Sequence, residues 1–285
     1  MKLDSKYLKK EFSNPFNYTG SKHRYLADLF SVIQYGESES VKVLDPFVGG
    51  GDLISKLPSS YDVTASDISL QLIELHIAVQ TGQLNVDGVA SQFKDRGMSK
   101  TNREAYLRLR VEYNESPTPE KLYLLMTNSF NNQLRFNLSG GFNMPFGKDR
   151  SSFNSRMQSK LANYQELIRD GRSINFVNKN YLDFDFSAYD LLLIDPPYSN
   201  TVATYNESTG WAEAQDVELF KKIDESSVSG TKFVYFNQVV ANGIVNDELD
   251  IWSKKHNVRV LKTTTNNCAA TKKKGTNTVE IMVWN

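Results

Sequence analysis

The chain has 285 residues, enough for one full hydrophobic core or a core domain carrying an insertion, and its 33 Lys and Arg balance 33 Asp and Glu. A formal charge of zero gives no general pull toward nucleic acid, so any such partner has to be read from local charge. The single Cys268 excludes an intramolecular disulfide; His23, His76 and His256 are too scattered for a zinc site; and no apolar run approaches the roughly 20 residues of a membrane helix. With no leader-like start, the expectation is a soluble protein of a reducing cytoplasm, without metal or membrane.

Met1 to Phe16 is polar and basic, carries Pro15, and reads as a loose arm leading into Asn17-Tyr18-Thr19-Gly20-Ser21-Lys22. Gly20 permits a tight turn and Ser21 is placed to cap a helix through Tyr25, Leu26, Leu29 and Phe30, which brings Tyr18 and Lys22 together near a helix start. Taken alone, such residues are more often a core aromatic and a solvated charge.

Val41 to Leu44 is strand-like and runs into Asp45-Pro46-Phe47-Val48-Gly49-Gly50-Gly51-Asp52, followed by the helix-forming Leu53 to Leu57. Glycines between a strand and a helix let a ligand approach the backbone, and a helix N-terminus favours an anionic group. The spacing departs from G-x-G-x-x-G, and the acid ahead of the turn disfavours a pyrophosphate and favours a ligand bearing an ammonium group. Val63 to Asp67 reads as the next strand. Its terminal acid stands about twenty residues further on, where a carboxylate holds ribose hydroxyls in nucleoside-binding sheets. Asp67 equally suits a cap for the helix from Ser69 to Val79.

From Phe93 to Arg172 basic side chains outnumber acids, giving a neutral chain a locally positive portion suited to phosphate contact. Helical periodicity covers Glu104 to Tyr113 and Leu122 to Phe130, with Pro117 and Pro119 between. The stretch Arg135 to Lys148 alternates on either side of Ser139-Gly140-Gly141, which predicts a hairpin. A two-stranded ribbon fits the major groove, and Arg135 near its base suits a bidentate contact to guanine; an ordinary exposed hairpin accounts for the pattern equally well.

Ser173 to Val177 reads as a strand, followed by Asn180-Tyr181-Leu182-Asp183 and the apolar run Tyr189 to Ile194. That run ends in Asp195-Pro196-Pro197-Tyr198, where the prolines stop the strand and leave an acid, carbonyl acceptors and a phenol ring at its carboxyl end. Ligands bind at that edge in open α/β sheets, and this group suits a planar amine. Ser199 to Gly210, with Tyr205 and Asn206, reads as a loop over the site. Then come a helix from Ala214 to Glu225, a strand Phe233 to Phe236, a helix Glu248 to Lys255, and two strands, Val258 to Thr265 and Thr278 to Trp284. Their connection holds Lys272-Lys273-Lys274, which reads as a solvated loop before a phosphate contact.

Four of these stretches, taken in order, resemble the Dam family of adenine-N6 DNA methyltransferases (the D12 class, α arrangement), most closely the T-even phage kind. They are Asn17 to Lys22, Asp45 to Gly51, Arg135-Phe136-Asn137 with Gly140, Phe142 and Pro145-Phe146-Gly147-Lys148, and Asp195 to Tyr198. The resemblance implies an α/β fold: a Rossmann-like S-adenosylmethionine-dependent methyltransferase core with an inserted, mainly helical target-recognition domain containing a β-hairpin. The catalytic domain would be residues 1–92 and 173–285, and the target-recognition domain 93–172. It implies S-adenosyl-L-methionine as methyl donor and double-stranded DNA as partner, with an adenine flipped out of the duplex, GATC as the favoured site, and a monomer or weak dimer on DNA in a bacterial or phage-infected cell.

Residue by residue, the same resemblance makes Asp195, Pro196, Pro197 and Tyr198 the catalytic group. Asp45 would pair with the donor's ammonium, Phe47, Gly49 and Gly51 would lie along it, Asp67 would bind its ribose and Tyr181 would touch its adenine ring. Tyr18, Lys22 and Asp195 would complete the donor pocket. Arg135 and Asn137, with Asn131, Pro145 and Lys148, would contact DNA. Gln133 and Asp149 depart from the phage pattern, where an apolar and a basic residue stand. A cytosine-N4 or RNA methyltransferase, a donor-responsive DNA-binding protein without catalysis, and a nucleotide-cofactor dehydrogenase are the rival readings.

Overall fold

Five helices of the described residues start where a short polar side chain precedes an apolar stripe. Asn85, Asn102, Thr118 and Asn246 each accept a backbone N–H from the first turn that follows, as does Ser69, and Pro119 stands in the first turn after Thr118. The computed structural model describes residues 3–18, 20–137, 139–169, 171–200, 211–266 and 276–285. Tyr205, Asn206, Cys268 and Lys272 to Lys274 lie outside the described residues, as does nearly all of the loop expected from Ser199 to Gly210.

In chain order the elements are α1 (Leu26–Val32), β1 (Lys42–Asp45), β2 (Asp62–Asp67), α2 (Leu70–Thr81), α3 (Val86–Asp95), α4 (Arg103–Glu115), α5 (Pro119–Asn128), α6 (Ser155–Arg169) and β3 (Ser173–Asn178). They continue with β4 (Leu191–Ile194), α7 (Glu213–Val228), β5 (Lys232–Ala241), β6 (Ile244–Val245), α8 (Asp247–Ser253), β7 (Asn257–Asn266) and β8 (Thr276–Trp284). This is the Rossmann-like α/β fold expected, with acids ending β1 and β2 and following β4. Among the described residues no helix is long and apolar enough to cross a membrane.

The chain divides into two compact units, residues 1–39 with 48–179, and residues 40–47 with 180–285. In the first, β2 and β3 pair in parallel from Asp62 opposite Ser173 to Asp67 opposite Asn178. Its core gathers Phe16, Leu72, Leu75, Val79, Tyr106, Tyr123, Leu161 and Tyr164, all almost fully buried. In the second, the strand order is β1-β4-β5-β8-β7; β1, β4 and β5 are parallel, and β8 and β7 return antiparallel. β4 is buried at all four residues, as an aliphatic run between two parallel neighbours should be.

Three expectations are corrected here. The amino-terminal arm is not loose throughout: Ser5–Leu8 and Lys10–Phe12 form 3-10 turns, Asn14 is buried and Phe16 is wholly enclosed, edge-on to His76, Tyr123 and Tyr164. Ser21 does not cap α1 itself: its hydroxyl donates to Asp52 (2.5 Å) and accepts the His23 N–H (3.4 Å) at the start of the 3-10 turn His23–Tyr25, through which α1 is entered. No α-helix follows the glycine turn, only a 3-10 turn at Ile54–Lys56, because Pro58 forces Leu57 into extended backbone (ψ 156°).

Candidate active site

In the second unit the end of β4 carries Asp195 half-buried, Pro196 buried and Tyr198 nearly so. The Tyr198 hydroxyl donates to Asp195 Oδ1 at 3.4 Å, so the acid and the phenol expected to act together do stand together. The chain beyond is tied down. Asn200 donates to the carbonyls of Gln238 (3.0 Å) and Ile244 (3.2 Å), and Ser199 donates to Asp216 Oδ2 (2.5 Å).

Asp216, fully buried on α7, also accepts from Asn246 Nδ2 (2.8 Å) and Trp211 Nε1 (2.9 Å). Burial raises its carboxyl pKa above the ordinary range, against those hydrogen bonds. The indole so anchored packs on Phe47 and Tyr181, each with its centroid 5.4 Å away, and those two rings are 5.3 Å apart. Tyr181 is turned with its hydroxyl toward Glu218 (3.4 Å), while burial pushes its phenol pKa up. Asp45 at the end of β1 is buried and accepts the N–H of Phe47 at 3.1 Å, which fixes the turn through Pro46. Asp45, Phe47, Tyr181 and the Asp195 tetrapeptide thus belong to one unit. Trp211 and Asp216 escaped the sequence reading, although a lone Trp after a polar loop and before a helix was a visible signal.

In the first unit the glycine turn follows from its hydrogen bonds. Val48 N–H donates to the Ser66 carbonyl (2.8 Å), Gly51 N–H to the Val48 carbonyl (2.8 Å), and Gly49 and Gly51 take φ of +49° and +79°. The open faces of the next two glycines are filled by the protein itself. A side chain at Gly50 would meet Asn14, and one at Gly51 would run into the Tyr164 hydroxyl. The side-chain faces of those two glycines are thus taken up by internal packing. Asp67 is buried and accepts from Gly49 N–H (3.2 Å) and Ser69 N–H (2.9 Å); burial pushes its carboxyl up to about 6 despite both donors. Ser69, not Asp67, is the N-cap of α2.

A buried polar cluster fastens Asn14 and Ser21 to this turn. Asp52 accepts from Asn14 N–H (2.8 Å), Asn14 Nδ2 (2.6 Å) and the Ser21 hydroxyl, with Lys56 Nζ at 3.7 Å. Burial opposes the charge on Asp52, but Lys56 and these donors hold its carboxyl below the ordinary range. Burial likewise lowers Lys56, to about 8, with Asp52 opposing. Lys22 is 2% exposed and donates to the Gly20 carbonyl (2.8 Å), while Tyr18 is half-buried.

Further along the same unit, Phe136 bridges Phe142 antiparallel and Asn137 N–H donates to the Gly141 carbonyl (2.8 Å), so the expected hairpin is present as a short ribbon. Asn137 Oδ1 accepts from Ser139 N–H (3.0 Å) and Gly141 N–H (2.8 Å), closing the turn. Arg135 donates from Nε to Asn143 Oδ1 (2.8 Å) and from Nη2 to the Asn143 carbonyl (3.1 Å), which stiffens the ribbon's base. Asn131, Asn137, Pro145 and Lys148 are exposed along this stretch, and Asn131 has a left-handed backbone (φ +57°).

The second unit thus carries an acid at the end of β1, an acid beside a phenol after β4, and an aromatic trio. Residues 18–267 match the family of D12 class N6 adenine-specific DNA methyltransferases, and the chain belongs to that family. Membership carries S-adenosyl-L-methionine as methyl donor, and residues of the second unit fit it: a buried acid at the end of β1 and the tilted ring pair of Phe47 and Tyr181, offering an aromatic face. The chain is 27% identical over 281 residues to the type II methyltransferase M.FokI of Planomicrobium okeanokoites, covering 95% of this chain and 42% of that protein. It is 30% identical over 260 residues to the modification methylase StsI of Streptococcus sanguinis, covering 88% and 39%, and 28% identical over 196 residues to the DNA adenine methylase of Escherichia coli K12, covering 66% of each. The chain thus spans about two fifths of the length of M.FokI and StsI.

Proposed function

We propose that this chain is a site-specific DNA methyltransferase that moves a methyl group from S-adenosyl-L-methionine to the N6 amine of an adenine flipped out of duplex DNA. The observation that carries the reading is the Asp195 carboxylate beside the Tyr198 hydroxyl at the carboxyl end of a buried parallel strand. In this reading residues 1–92 and 173–285 form the catalytic part and 93–172 the target-recognition part. Its partner is duplex DNA, met as a monomer or weak dimer in the cytoplasm of a bacterial or phage-infected cell. The modification methylases among its relatives support a place in a restriction-modification pair.

Bound S-adenosyl-L-methionine supplies an electrophilic methyl group on a sulfonium. An adenine amine is a weak nucleophile because its lone pair is delocalised into the ring. The Asp195 carboxylate and the Pro196 carbonyl accept hydrogen bonds from its two N–H groups, which localises the lone pair on nitrogen and turns it toward the donor methyl; as the new N–C bond forms the methyl–sulfur bond breaks, and Asp195 or water takes the released proton. The work is mostly positioning and electrostatics. Extruding the base costs a few kcal/mol, which stacking on Tyr198 offsets in part.

Asp45, Phe47, Gly49, Gly51, Asp67 and Tyr181, with Tyr18, Lys22 and Asp195, hold the donor in this reading, and Trp211 joins Phe47 and Tyr181 around its ring. Arg135 reads a guanine, with Asn131, Asn137, Pro145 and Lys148 on the duplex; Arg135 and the likeness to T-even phage Dam make GATC the first sequence to test. The experiment is to incubate the protein and labelled S-adenosyl-L-methionine with a DNA of known sequence and map every modified base. N6-methyladenine within one short sequence is expected. Methyl groups on cytosine or RNA, or none, would overturn the proposal.

A further inference from the structure

Beneath the glycine turn lies a histidine for which the proposed transfer has no use. His76, on α2, has no solvent exposure, stacks on Phe176 (centroids 4.7 Å apart, planes 7° from parallel) and stands edge-on to Phe16. Its Nε2 is 2.8 Å from the Gly49 carbonyl oxygen and its Nδ1 is 2.7 Å from the Tyr164 hydroxyl. A carbonyl only accepts, so Nε2 carries the ring proton, Nδ1 accepts, and Tyr164 donates to it. The N–H of Gly49, which belongs to the preceding peptide, donates to Asp67 at 3.2 Å. One directed chain of hydrogen bonds therefore runs from Tyr164 through His76 to the Gly49 oxygen, and Asp67 holds the peptide plane on the other side of the Gly49 Cα.

Tyr164 belongs to α6, and its hydroxyl occupies the space a side chain on Gly51 would need. The same helix reaches two other parts of the unit. Lys160 Nζ donates to the Asn14 carbonyl (3.3 Å) and to Asn17 Oδ1 (3.4 Å), and Gln165 Nε2 donates to the Val79 carbonyl (3.2 Å). α6 thus braces the glycine turn, the segment before Tyr18 and helix α2 together. An imidazole held at both nitrogens inside an aromatic box cannot rotate, so the Gly49–Gly50 peptide is held by its oxygen while Asp67 holds the N–H before it, and the two planes flanking the Gly49 Cα are fixed together.

We propose that His76 and Tyr164 are positioning residues for the methyl-donor site: acting through the glycine turn, they fix where the Gly49 peptide and the Asp67 carboxylate stand. The proposal rests on the reading of Gly49 and Asp67 as donor-binding groups. They touch no reacting atom, so their loss should act on donor affinity and leave duplex affinity alone.

The test is to titrate wild type, Tyr164→Phe, His76→Leu and His76→Gln with S-adenosyl-L-methionine by calorimetry and with duplex DNA by anisotropy, checking each fold by urea denaturation. Tyr164→Phe should weaken donor binding about five- to tenfold, the effect of one buried hydrogen bond. His76→Leu should weaken it further, and His76→Gln, which keeps an N–H for the Gly49 oxygen, should recover part of the loss. Duplex affinity should stay within about twofold. Folded variants with unchanged donor affinity would overturn the proposal, as would an equal loss of donor and duplex binding. A measurement on wild type needs no variant: the His76 ring nitrogens should shift in an NMR spectrum when the donor saturates the protein, and unmoved resonances would overturn the proposal. A wild type that binds no donor at all would instead remove the donor-site reading beneath it.

Discussion

Replacing Asp67 with Asn should make the protein more stable at pH 8 and a poorer binder of S-adenosyl-L-methionine. Burial raises the Asp67 carboxyl from its ordinary 3.8 to about 6, so keeping it ionised in the folded chain costs about 3 kcal/mol above pH 6. Asn carries no charge, but it has one acceptor oxygen for two backbone donors, Gly49 N–H and Ser69 N–H, and losing one costs about 1 to 1.5 kcal/mol. The net gain is about 1.5 to 2 kcal/mol at pH 8. The sign follows from the direction of the shift. A folded-state pKa above the unfolded one means the penalty is absent below pH 4, builds between 4 and 6, and is complete above 6. At pH 4 the variant should therefore be the less stable protein, by about 1 kcal/mol. Urea denaturation of both proteins at pH 4, 6 and 8 measures this. A stability difference that does not change between pH 4 and pH 8 would refute the reasoning. A gain in stability with a loss in donor affinity is what a strained acid retained for a ligand should produce.

Asp195→Ala should lower methyl transfer at least about 10³-fold while donor binding by calorimetry is largely retained; turnover close to wild type would remove its central role. Arg135→Ala should relax discrimination at one guanine by about 1 to 3 kcal/mol in a competition assay on singly substituted duplexes, with unchanged preference showing that sequence is read elsewhere. Gly51→Ala should destabilise the fold by about 2 to 4 kcal/mol in urea, since φ of +79° disfavours any side chain and the new methyl group displaces the Tyr164 hydroxyl; a loss under 1 kcal/mol would argue against that packing. Trp211→Ala should weaken donor binding several-fold with little effect on duplex binding, and equal affinities would take the indole out of the donor pocket.

What the sequence made legible follows from how local each signal is. β4 could be read because a fully buried parallel strand is a continuous aliphatic run, and two prolines mark where it must stop. The acids Asp45 and Asp67 could be placed because strand ends are local features. The glycine turn could be located but not explained: what stands over Gly50 and Gly51 is Asn14 and Tyr164, residues distant in sequence, and no spacing rule reports them. α6 went unseen although Met157, Leu161, Tyr164 and Ile168 recur at helical spacing and Asn154 accepts the Met157 N–H at 3.1 Å. There the basic side chains of the segment mask its apolar periodicity. The buried Asn14, Ser21, Asp52 and Lys56 cluster was beyond reach for a different reason: a polar residue signals exposure unless its partners are known.

The reach of α6 bears on how such chains can be recombined. A transplant of residues 93–172, the proposed target-recognition part, from a relative would also carry off Lys160 and Tyr164, and with them the grip on the amino-terminal segment and on His76. A crossover placed just before Asn154 would exchange the hairpin and leave the resident helix in place, so chimaeras cut there should keep their stability where those cut after Arg172 do not.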